Sequence, residues 1–388
     1  MKLLRISASG LPLFKDKCQI DFFAQQRVTG DNEEKMSRIF SRDSTRIYQN
    51  NVLSFIGINA SGKTTILKLV SFVCGMLNNQ SLNNVPYREI LDGLNDTEKV
   101  SFDVFFYFEN ATIGYLHTVL GKSKEKIIIL DETLKTKSSS KVTSKISLFD
   151  FDDCDSVLSR NNDEAFLLDD VSIIVAFNKK THDTLSMTEM LRHTNTNQLS
   201  ISDDCPIEMI AFFDPSIEYL HVKSNSKDKD IRLKFVGDEE IVLHQLSDLN
   251  RYLSSGTIKG INTFVNALKV FKSGGYLIID EIENHFNREI VSTLIRLFMD
   301  KRVNPKGAML IFSTHYAELL DEFERNDNIY IVRNRNGISA ENLATLLKRN
   351  DIKKSEAYQS GFLEGTVPMY DAYMDLKKAL IRSQKEGE

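Results

Sequence analysis

The chain has 388 residues, of which 41% are hydrophobic and 27% are charged. This length and composition are typical of a globular protein with a large buried core, and they exclude a disordered chain. The 49 basic and 54 acidic residues leave a net charge of −5, so any contact with nucleic acid would depend on a local basic patch.

The cysteines and the apolar segments indicate the cellular setting. Cys18, Cys74, Cys154 and Cys205 are far apart and include no CxxC pair, which argues against a zinc site or a disulfide framework. The sequence contains no apolar run typical of a signal peptide or a membrane span. We therefore expect a cytoplasmic protein without membrane contact.

The first 98 residues have the pattern of an N-terminal lobe. Residues 3–6 and 18–24 are predicted strands joined by a turn, and the polar stretch 28–46 is a predicted surface loop. "NVLSFIG" then predicts a buried strand, and "TTILKLVSFVCGML" predicts a helix with an apolar face.

The middle of the chain is rich in predicted strands. Residues 99–149 alternate between polar and apolar side chains, which predicts an antiparallel β subdomain. Residues 150–245 mix apolar segments with polar linkers, and we interpret them as an inserted α+β region. They contain no repeat and no sustained heptads, so a long coiled coil is not expected.

Helix and strand patterns return after residue 246. "GTIKGINTFVNALKVFKSGG" and "REIVSTLIRLFMD" are predicted helices, and "YLIID" and "AMLIFSTH" are predicted strands. We place a C-terminal lobe at 246–340 and a helical extension at 341–388. The expected fold is therefore α/β, with one nucleotide-binding lobe that carries an insertion.

A glycine-rich loop between a strand and a helix predicts a phosphate site. The eight residues that begin at Gly57 satisfy GxxxxGK[ST], whose backbone N–H groups and helix N-terminus favour a bound phosphate. Lys63 would reach the β- and γ-phosphates, and the Thr64 hydroxyl would bind Mg²⁺. The predicted ATP-binding residues are Gly57, Asn59, Ala60, Ser61, Gly62, Lys63, Thr64 and Thr65.

The strand "YLIID" predicts an acidic site at its carboxyl end. Asp280 can hold Mg²⁺ there, directly or through water. Glu281 follows it and can orient or deprotonate the attacking water. An acidic loop without catalytic function is the alternative, and the phosphate loop upstream argues against it.

The segment "YLSSGT" resembles the signature LSGGQ of the ABC-type ATPases. Its predicted functional residues are Ser254, Ser255 and Gly256, with Ser255 in place of a glycine and Thr257 in place of the glutamine. At a helix N-terminus these residues make a second anion site, which in that class contacts the γ-phosphate held by the opposite subunit. The alternative is an ordinary serine cap.

Three further positions follow the order of motifs in the same class. His315 comes just after a strand, at the place of the switch histidine, while Asn284 and His285 occupy the place of the D-loop. A solvated histidine is the alternative for His315. Gln198, within "TNTNQLS", is a weak candidate for the Q-loop glutamine because polar linkers often contain such a residue.

With these residues in hand, the chain resembles the ABC-type ATPases of the SMC, RecF and OLD group. More narrowly, it is similar to the AAA-like ATPases of bacterial abortive-infection and anti-phage systems. The similarity lies in "LRISASGLPLFKDK", "GINASGKTTILK", "FFDPSIEYL", "IIDEIENHFN" and "YQSGFLEGTVP". It implies an ABC-type head with the P-loop NTPase fold, ATP hydrolysis with Mg²⁺, catalytic roles for Lys63, Glu281 and His315, and self-association as an ATP-sandwich dimer or higher oligomer.

The departures from this group suggest how the protein acts. The spacing between Gly57 and Leu253 leaves no room for the long arms of SMC proteins, and the segment after His315 is too short for the nuclease domain of OLD enzymes. We therefore expect a nucleotide-driven switch or scaffold in anti-phage defence that controls a separate effector protein, a toxin or a nuclease.

Two other functions remain open from the sequence. A RecF-like ATPase that clamps DNA in repair predicts a basic patch, for which the candidates are Lys348, Arg349, Lys353 and Lys354. The energy subunit of a membrane transporter would have a shorter spacing between phosphate loop and signature, and a closer match to LSGGQ.

Overall fold

The computed structural model describes residues 1–42, 45–160, 168–193, 199, 205–224, 229–284, 286–349, 351–366 and 370–385. In chain order the strands are β1 (Lys2–Ser9), β2 (Cys18–Asp21), β3 (Ser37–Arg42), β4 (Thr45–Gln49), β5 (Val52–Ile56), β6 (Val100–Phe108), β7 (Thr112–Ser123), β8 (Lys126–Ser138), β9 (Ser156–Ser159), β10 (Met187–Glu189), β11 (Ile217–Ser224), β12 (Lys229–Phe235), β13 (Ile241–Leu243), β14 (Tyr276–Ile279), β15 (Met309–Thr314), β16 (Ile329–Asn334) and β17 (Ile338–Asn342). The α-helices are α1 (Gly30–Glu33), α2 (Lys63–Leu77), α3 (Ile174–Thr181), α4 (Ile207–Phe213), α5 (Ser255–Ser273), α6 (Arg288–Met299), α7 (Leu343–Leu346), α8 (Lys354–Gln359) and α9 (Tyr370–Lys385). Short 3₁₀ segments span Arg88–Leu91, Ser139–Lys141, Leu191–His193, Leu246–Arg251 and Ala317–Glu322.

The first large sheet is antiparallel throughout. Its six strands have the order β2-β1-β6-β7-β8-β9. The antiparallel meander β6-β7-β8 forms where the alternating sequence pattern predicts strands. The two N-terminal strands extend it, because β1 pairs with β6 along nearly its whole length. The meander is therefore one part of a larger sheet.

The second large sheet carries the candidate functional residues. Its six strands have the order β10-β14-β15-β5-β16-β17, and every pair is parallel except β16 with β17. Parallel strands buried on both faces read as continuous apolar runs, as "VLSFI", "YLII" and "MLIFST" do. The strand β10 was not foreseen, and it shows that the predicted insertion contributes to this central sheet.

Helix α2 lies between the two large sheets. Its side chains from Ile66 to Leu77 are almost all buried, because one side of the helix faces each sheet. Phe72 contacts Phe102 of the antiparallel sheet with ring centres 5.7 Å apart, and the same core includes Phe55 of the parallel sheet. Helix α2 is thus packed against both sheets.

The other face of the parallel sheet is covered by α5, α6 and α8, which share a second core with its strands. A separate sheet of three strands, β11-β12-β13, packs on α4 and on the first turns of α5. In the described part of the chain, α5 with 19 residues is the longest helix. In the described chain after Asn342, the helices α7, α8 and α9 are separated by non-helical segments, and β17 ends two residues inside the predicted extension 341–388.

One sequence expectation is wrong. The stretch 28–46 is not a surface loop, because it contains α1 and the strand β3, which pairs with β4 in a hairpin. Met36 and Phe40 are buried, and the Phe40 ring stacks on Tyr107 of the antiparallel sheet. The residues around these two apolar positions are mostly polar, so the composition of the stretch indicates a loop.

Candidate functional site

The loop between β5 and α2 has the backbone shape of a phosphate cradle. Gly62 has φ 98°, and a Cβ there would lie 2.6 Å from the Ile338 side chain. A Cβ on Gly57 would lie 2.4 Å from the carbonyl oxygen of Val332. Neither position admits another residue without a shift, so both glycines follow from the local geometry. Ala60 also has a positive φ, 59°.

The side chain of Lys63 bonds back to the backbone of the loop that precedes it. Its Nζ donates to the carbonyl oxygens of Gly57 at 2.9 Å and of Ile58 at 3.1 Å, and it lies 3.3 Å from Nδ1 of His315. Burial lowers the pKa of Lys63. The nearby carboxylates oppose this shift, and Asp280 has the largest effect among them. The structure therefore brings Lys63 and His315 together at the mouth of the loop.

The start of α2 is joined to the ends of two neighbouring strands. Thr64 Oγ1 donates to Asp280 Oδ2 at 2.7 Å, and Ser313 Oγ donates to Asp280 Oδ1. Asp280 follows β14 and Ser313 lies in β15, so parallel neighbours deliver both side chains to one edge. Hydroxyl and carboxylate oxygens are the ligands that Mg²⁺ prefers. Ser313 was not foreseen, although a serine in the apolar strand "MLIFST" could have indicated it.

Glu281 is held in an unusual backbone conformation. Its φ is 45°, in a region that costs non-glycine residues about 1–3 kcal/mol and occurs often at functional sites. Its N–H donates to Ser313 Oγ at 2.7 Å, and its carboxylate accepts from Asn284 Nδ2 at 2.6 Å. His315 Nε2 lies 3.7 Å from Glu281 Oε1. The predicted residues Glu281, Asn284 and His315 are thus adjacent.

Glu283 is a member of this cluster that the sequence reasoning missed. It is 7% exposed, and its Oε1 accepts the backbone N–H of His315 at 2.6 Å. The third acid in the segment "DEIE" was the available signal. His285 and Gln198, the remaining D-loop and Q-loop candidates, lie outside the described residues.

The signature segment begins α5. Ser254 caps the helix, because its Oγ accepts the N–H of Thr257 at 3.0 Å. Ser255 and Gly256 form the first turn and are partly exposed. Among the described residues, the hydrogen bonds of Ser254 stay within its own helix. The serine cap and the anion site remain compatible, since a capped helix still presents N–H groups at its start.

The residues of this edge fit a nucleotide with a divalent cation. The two glycines let the loop backbone pack closely against Val332 and Ile338, and Ser61 Oγ is buried without a hydrogen-bond partner among the described residues. Thr64 and Asp280 supply the oxygen pair that a cation would need. The side chain of Thr64 is exposed, so that a nucleotide and a cation can both reach it.

The basic patch proposed for DNA is largely neutralised. Arg349 pairs with Asp351 at 2.5 Å, and Lys353 pairs with Glu356 at 3.1 Å. Lys354 is buried. Adjacent acids thus neutralise Arg349 and Lys353, and burial removes Lys354 from the surface.

Comparison with known proteins gives the family. A search of curated proteins found no match. In the described chain, no helix combines the length and the apolar character that crossing a membrane requires. A family model described as "AAA domain, putative AbiEii toxin, Type IV TA system" matches residues 52–321. This span runs from β5 past His315 and covers more than half of the chain. The chain therefore belongs to this family of AAA-domain proteins, which have the P-loop NTPase fold and are associated with abortive infection.

Proposed function

We propose that the chain binds and hydrolyses ATP with Mg²⁺ between copies of itself, and that this cycle switches a separate effector in anti-phage defence. The main support for this proposal is the hydrogen bond between Thr64 and Asp280, because it joins the phosphate loop to the acidic end of a strand. The family description, with its putative toxin and type IV toxin–antitoxin system, supports the defence role.

Each residue at the strand ends has a role in this proposal. The loop amides and Lys63 bind the phosphates, and Thr64 with Asp280 holds Mg²⁺, which neutralises phosphate charge when bound. Glu281 accepts a proton from the attacking water, and Asn284 keeps its carboxylate in position. His315 lies close to both Lys63 and Glu281, where it can contact the terminal phosphate.

The second half of the site comes from another copy. Ser254, Ser255 and Gly256 lie at the exposed start of α5, where helix N–H groups favour a γ-phosphate presented by a partner. ATP would thereby hold two copies together, and its hydrolysis would release them. An ABC-type dimer, or a higher oligomer built from such pairs, follows from this arrangement.

The test of the sandwich uses Ser254→Arg. A long charged side chain at the cap should block the approach of a second copy, while each copy still binds ATP through its own loop. Light scattering should show ATP-dependent assembly of the wild type and monomers of the variant at equal nucleotide saturation. Unchanged assembly by Ser254→Arg would remove the signature from the proposal.

The effector is sought by isolating the tagged chain from its own cells, with and without ATP. A small protein recovered in fixed ratio, and retained or released according to nucleotide, supports the switch. Recovery of DNA alone, lost at high salt, would replace the switch by a DNA-clamping ATPase of the RecF type.

A further inference from the structure

An open cavity of about 580 Å³ lies where the edges of the two large sheets meet. Residues of β1, β2, β16 and β17 line one side of it, and the loop between β8 and β9 lines the other. This volume is within the range of small-molecule sites. Asn342, in the lining, is four residues along β17 from Ile338, which packs against Gly62 of the phosphate loop. That part of the lining is therefore about 13 Å from the phosphate loop.

The guanidinium of Arg5, in the lining of this cavity, is held by two contacts. Its Nε donates to Oδ1 of Asp21, a residue that is only 3% exposed. Its Cζ lies 3.7 Å from the centre of the Phe149 ring, which is a cation–π contact. Among the described residues, the two terminal nitrogens of Arg5 have no hydrogen-bond partner. Because the side chain is 21% exposed, a ligand in the cavity can reach these nitrogens.

The acidic residues of the lining are already engaged by other side chains. Oδ2 of Asp21 accepts from Nε2 of Gln19 at 3.2 Å and from Nε2 of Gln25 at 2.6 Å, so donors other than Arg5 share its charge. Glu341 pairs with Arg333. These bonds weaken the repulsion that an anion beside Arg5 would meet.

The loop between β8 and β9 gives the cavity an apolar wall. Nζ of Lys145 joins this loop to the segment 24–26 by donating to its three backbone carbonyl oxygens at 2.7–2.9 Å. Ile146 is 86% exposed, and Phe149 is half-buried; both lie in the lining. Since backbone oxygens occupy the ammonium of Lys145, Arg5 is the cation of the described lining that remains available to a ligand.

We propose that this cavity binds a small molecule that carries a carboxylate next to an apolar group, at a site separate from the phosphate loop. A carboxylate matches the two terminal nitrogens of Arg5, because a planar guanidinium donates two parallel hydrogen bonds to it. The apolar group packs against Ile146 and Phe149 and removes their exposed surface from water. This inference does not depend on the proposed ATP cycle.

The test uses two probes of the same shape, benzoate and its neutral amide, benzamide. Each is titrated into the full chain labelled at its isoleucine δ1 methyl groups. Ile146 reports on the cavity, and Ile207, on α4 and outside the lining, is the control. We expect benzoate to shift the Ile146 signal with an affinity ~10- to 100-fold above that of benzamide, as hydrogen bonds between charged groups allow. The Ile207 signal should not move.

Arg5→Lys keeps a positive charge but lacks the fork, so it should lose most of the preference for benzoate. Arg38→Lys, at an exposed position outside the lining, should keep that preference. Because Arg5 also contacts the buried Asp21, the comparison of the two probes on the wild type stands even if Arg5→Lys does not fold.

Three results would overturn the inference. They are the absence of a saturable Ile146 shift with benzoate, equal affinities for the two probes, and loss of benzoate binding at saturating ATP, which would make the cavity part of the nucleotide site. A folded Arg5→Lys with an unchanged preference would also overturn it. A wild type that binds benzoate as expected but does not hydrolyse ATP with Mg²⁺ would overturn the proposed function alone.

Discussion

Glu283 and Glu132 are both buried carboxylates, and they differ in what surrounds them. Glu132, on β8 of the antiparallel sheet, is fully buried; Thr118 and Ser172 donate to its Oε1, and the N–H of Ile173 donates to its Oε2. Glu283, at the edge of the parallel sheet, has one oxygen without a hydrogen-bond partner in the described part of the chain. Burial alone therefore does not distinguish a functional acid from a structural one.

The difference follows from where each acid lies. Glu132 points from the middle of a strand into a closed network, which can only stabilise the fold. Glu283 follows a strand, beside a residue with positive φ and within electrostatic reach of two lysines. In open α/β sheets, ligands bind at the carboxyl ends of the parallel strands, which is where Glu283 lies.

The largest effect should come from Glu281→Gln, which keeps the shape of the side chain but cannot accept a proton. We expect ATP binding to persist while the hydrolysis rate falls by ~10²–10⁴-fold, the usual contribution of a positioned base. Single-turnover hydrolysis with Mg²⁺ measures the rate, and equilibrium binding measures the affinity. Ordinary turnover by the variant would assign Glu281 to the structural class of Glu132.

Glu132→Ala should affect stability instead of chemistry. Removing a carboxylate from a buried network leaves Arg160 and several donors without it, which costs about 3 kcal/mol or more. Urea unfolding measures this loss, and Glu125→Ala, at an exposed turn of the same sheet, should stay within about 0.5 kcal/mol of wild type. A change in kcat per folded molecule would show that the antiparallel sheet takes part in catalysis.

Lys63→Ala should weaken nucleotide binding with little effect on folding. The lost interaction is a hydrogen bond to a charged group, which contributes about 1.5–3 kcal/mol, so ATP affinity should fall by ~10- to 100-fold. Titration with a fluorescent nucleotide measures it, and Lys68→Ala, one turn later in α2, is the control. An unchanged affinity would contradict the phosphate-cradle interpretation.

The sequence predicted those parts of the site that local spacing determines. The phosphate loop, the strand before Asp280 and the strand before His315 all depend on contiguous residues, and each element forms at the predicted place. The shape of the loop follows from its glycines, because the close approach of Val332 and Ile338 excludes larger residues.

The sequence could not reveal contacts between distant segments. Ser313 contacts Asp280 only because β14 and β15 are parallel neighbours in register, and β10 joins the same sheet although the pattern around it indicated an insertion. Lys259 looks like one polar residue on an amphipathic helix, but packing leaves it only 4% exposed. These relations depend on tertiary topology, which a pattern of 3.6 or 2 residues does not encode.

The smallest effect should come from His117 and Asp103, partly exposed on the antiparallel sheet and 2.8 Å apart. The hydrogen bond that His117 donates to the Asp103 carboxylate raises the pKa of His117, and burial opposes this only in part. Burial would raise the pKa of Asp103, but the hydrogen bonds of His117 and Tyr115 lower it overall.

The raised pKa means that the folded state binds the His117 proton more tightly than the unfolded state does. The stabilisation from His117 is therefore complete below ~6.5, the ordinary histidine pKa, and is lost as the pH rises through the folded value. The contribution of Asp103 is present above ~4 and is lost as the pH falls through its lowered value. Because both groups are partly solvated, the pair should contribute less than about 1 kcal/mol.

Urea unfolding of wild type and His117→Gln between pH 5 and pH 9 measures this contribution. The wild type should be the more stable protein at the acidic end, and the difference should vanish at the basic end, whereas the exposed His244→Gln should show no such trend. ATP hydrolysis by His117→Gln should equal that of wild type at every pH where both are folded. A pH-dependent change in kcat would show that charges of the antiparallel sheet act on the parallel-sheet edge, and the division between stabilising and reactive charges would fail.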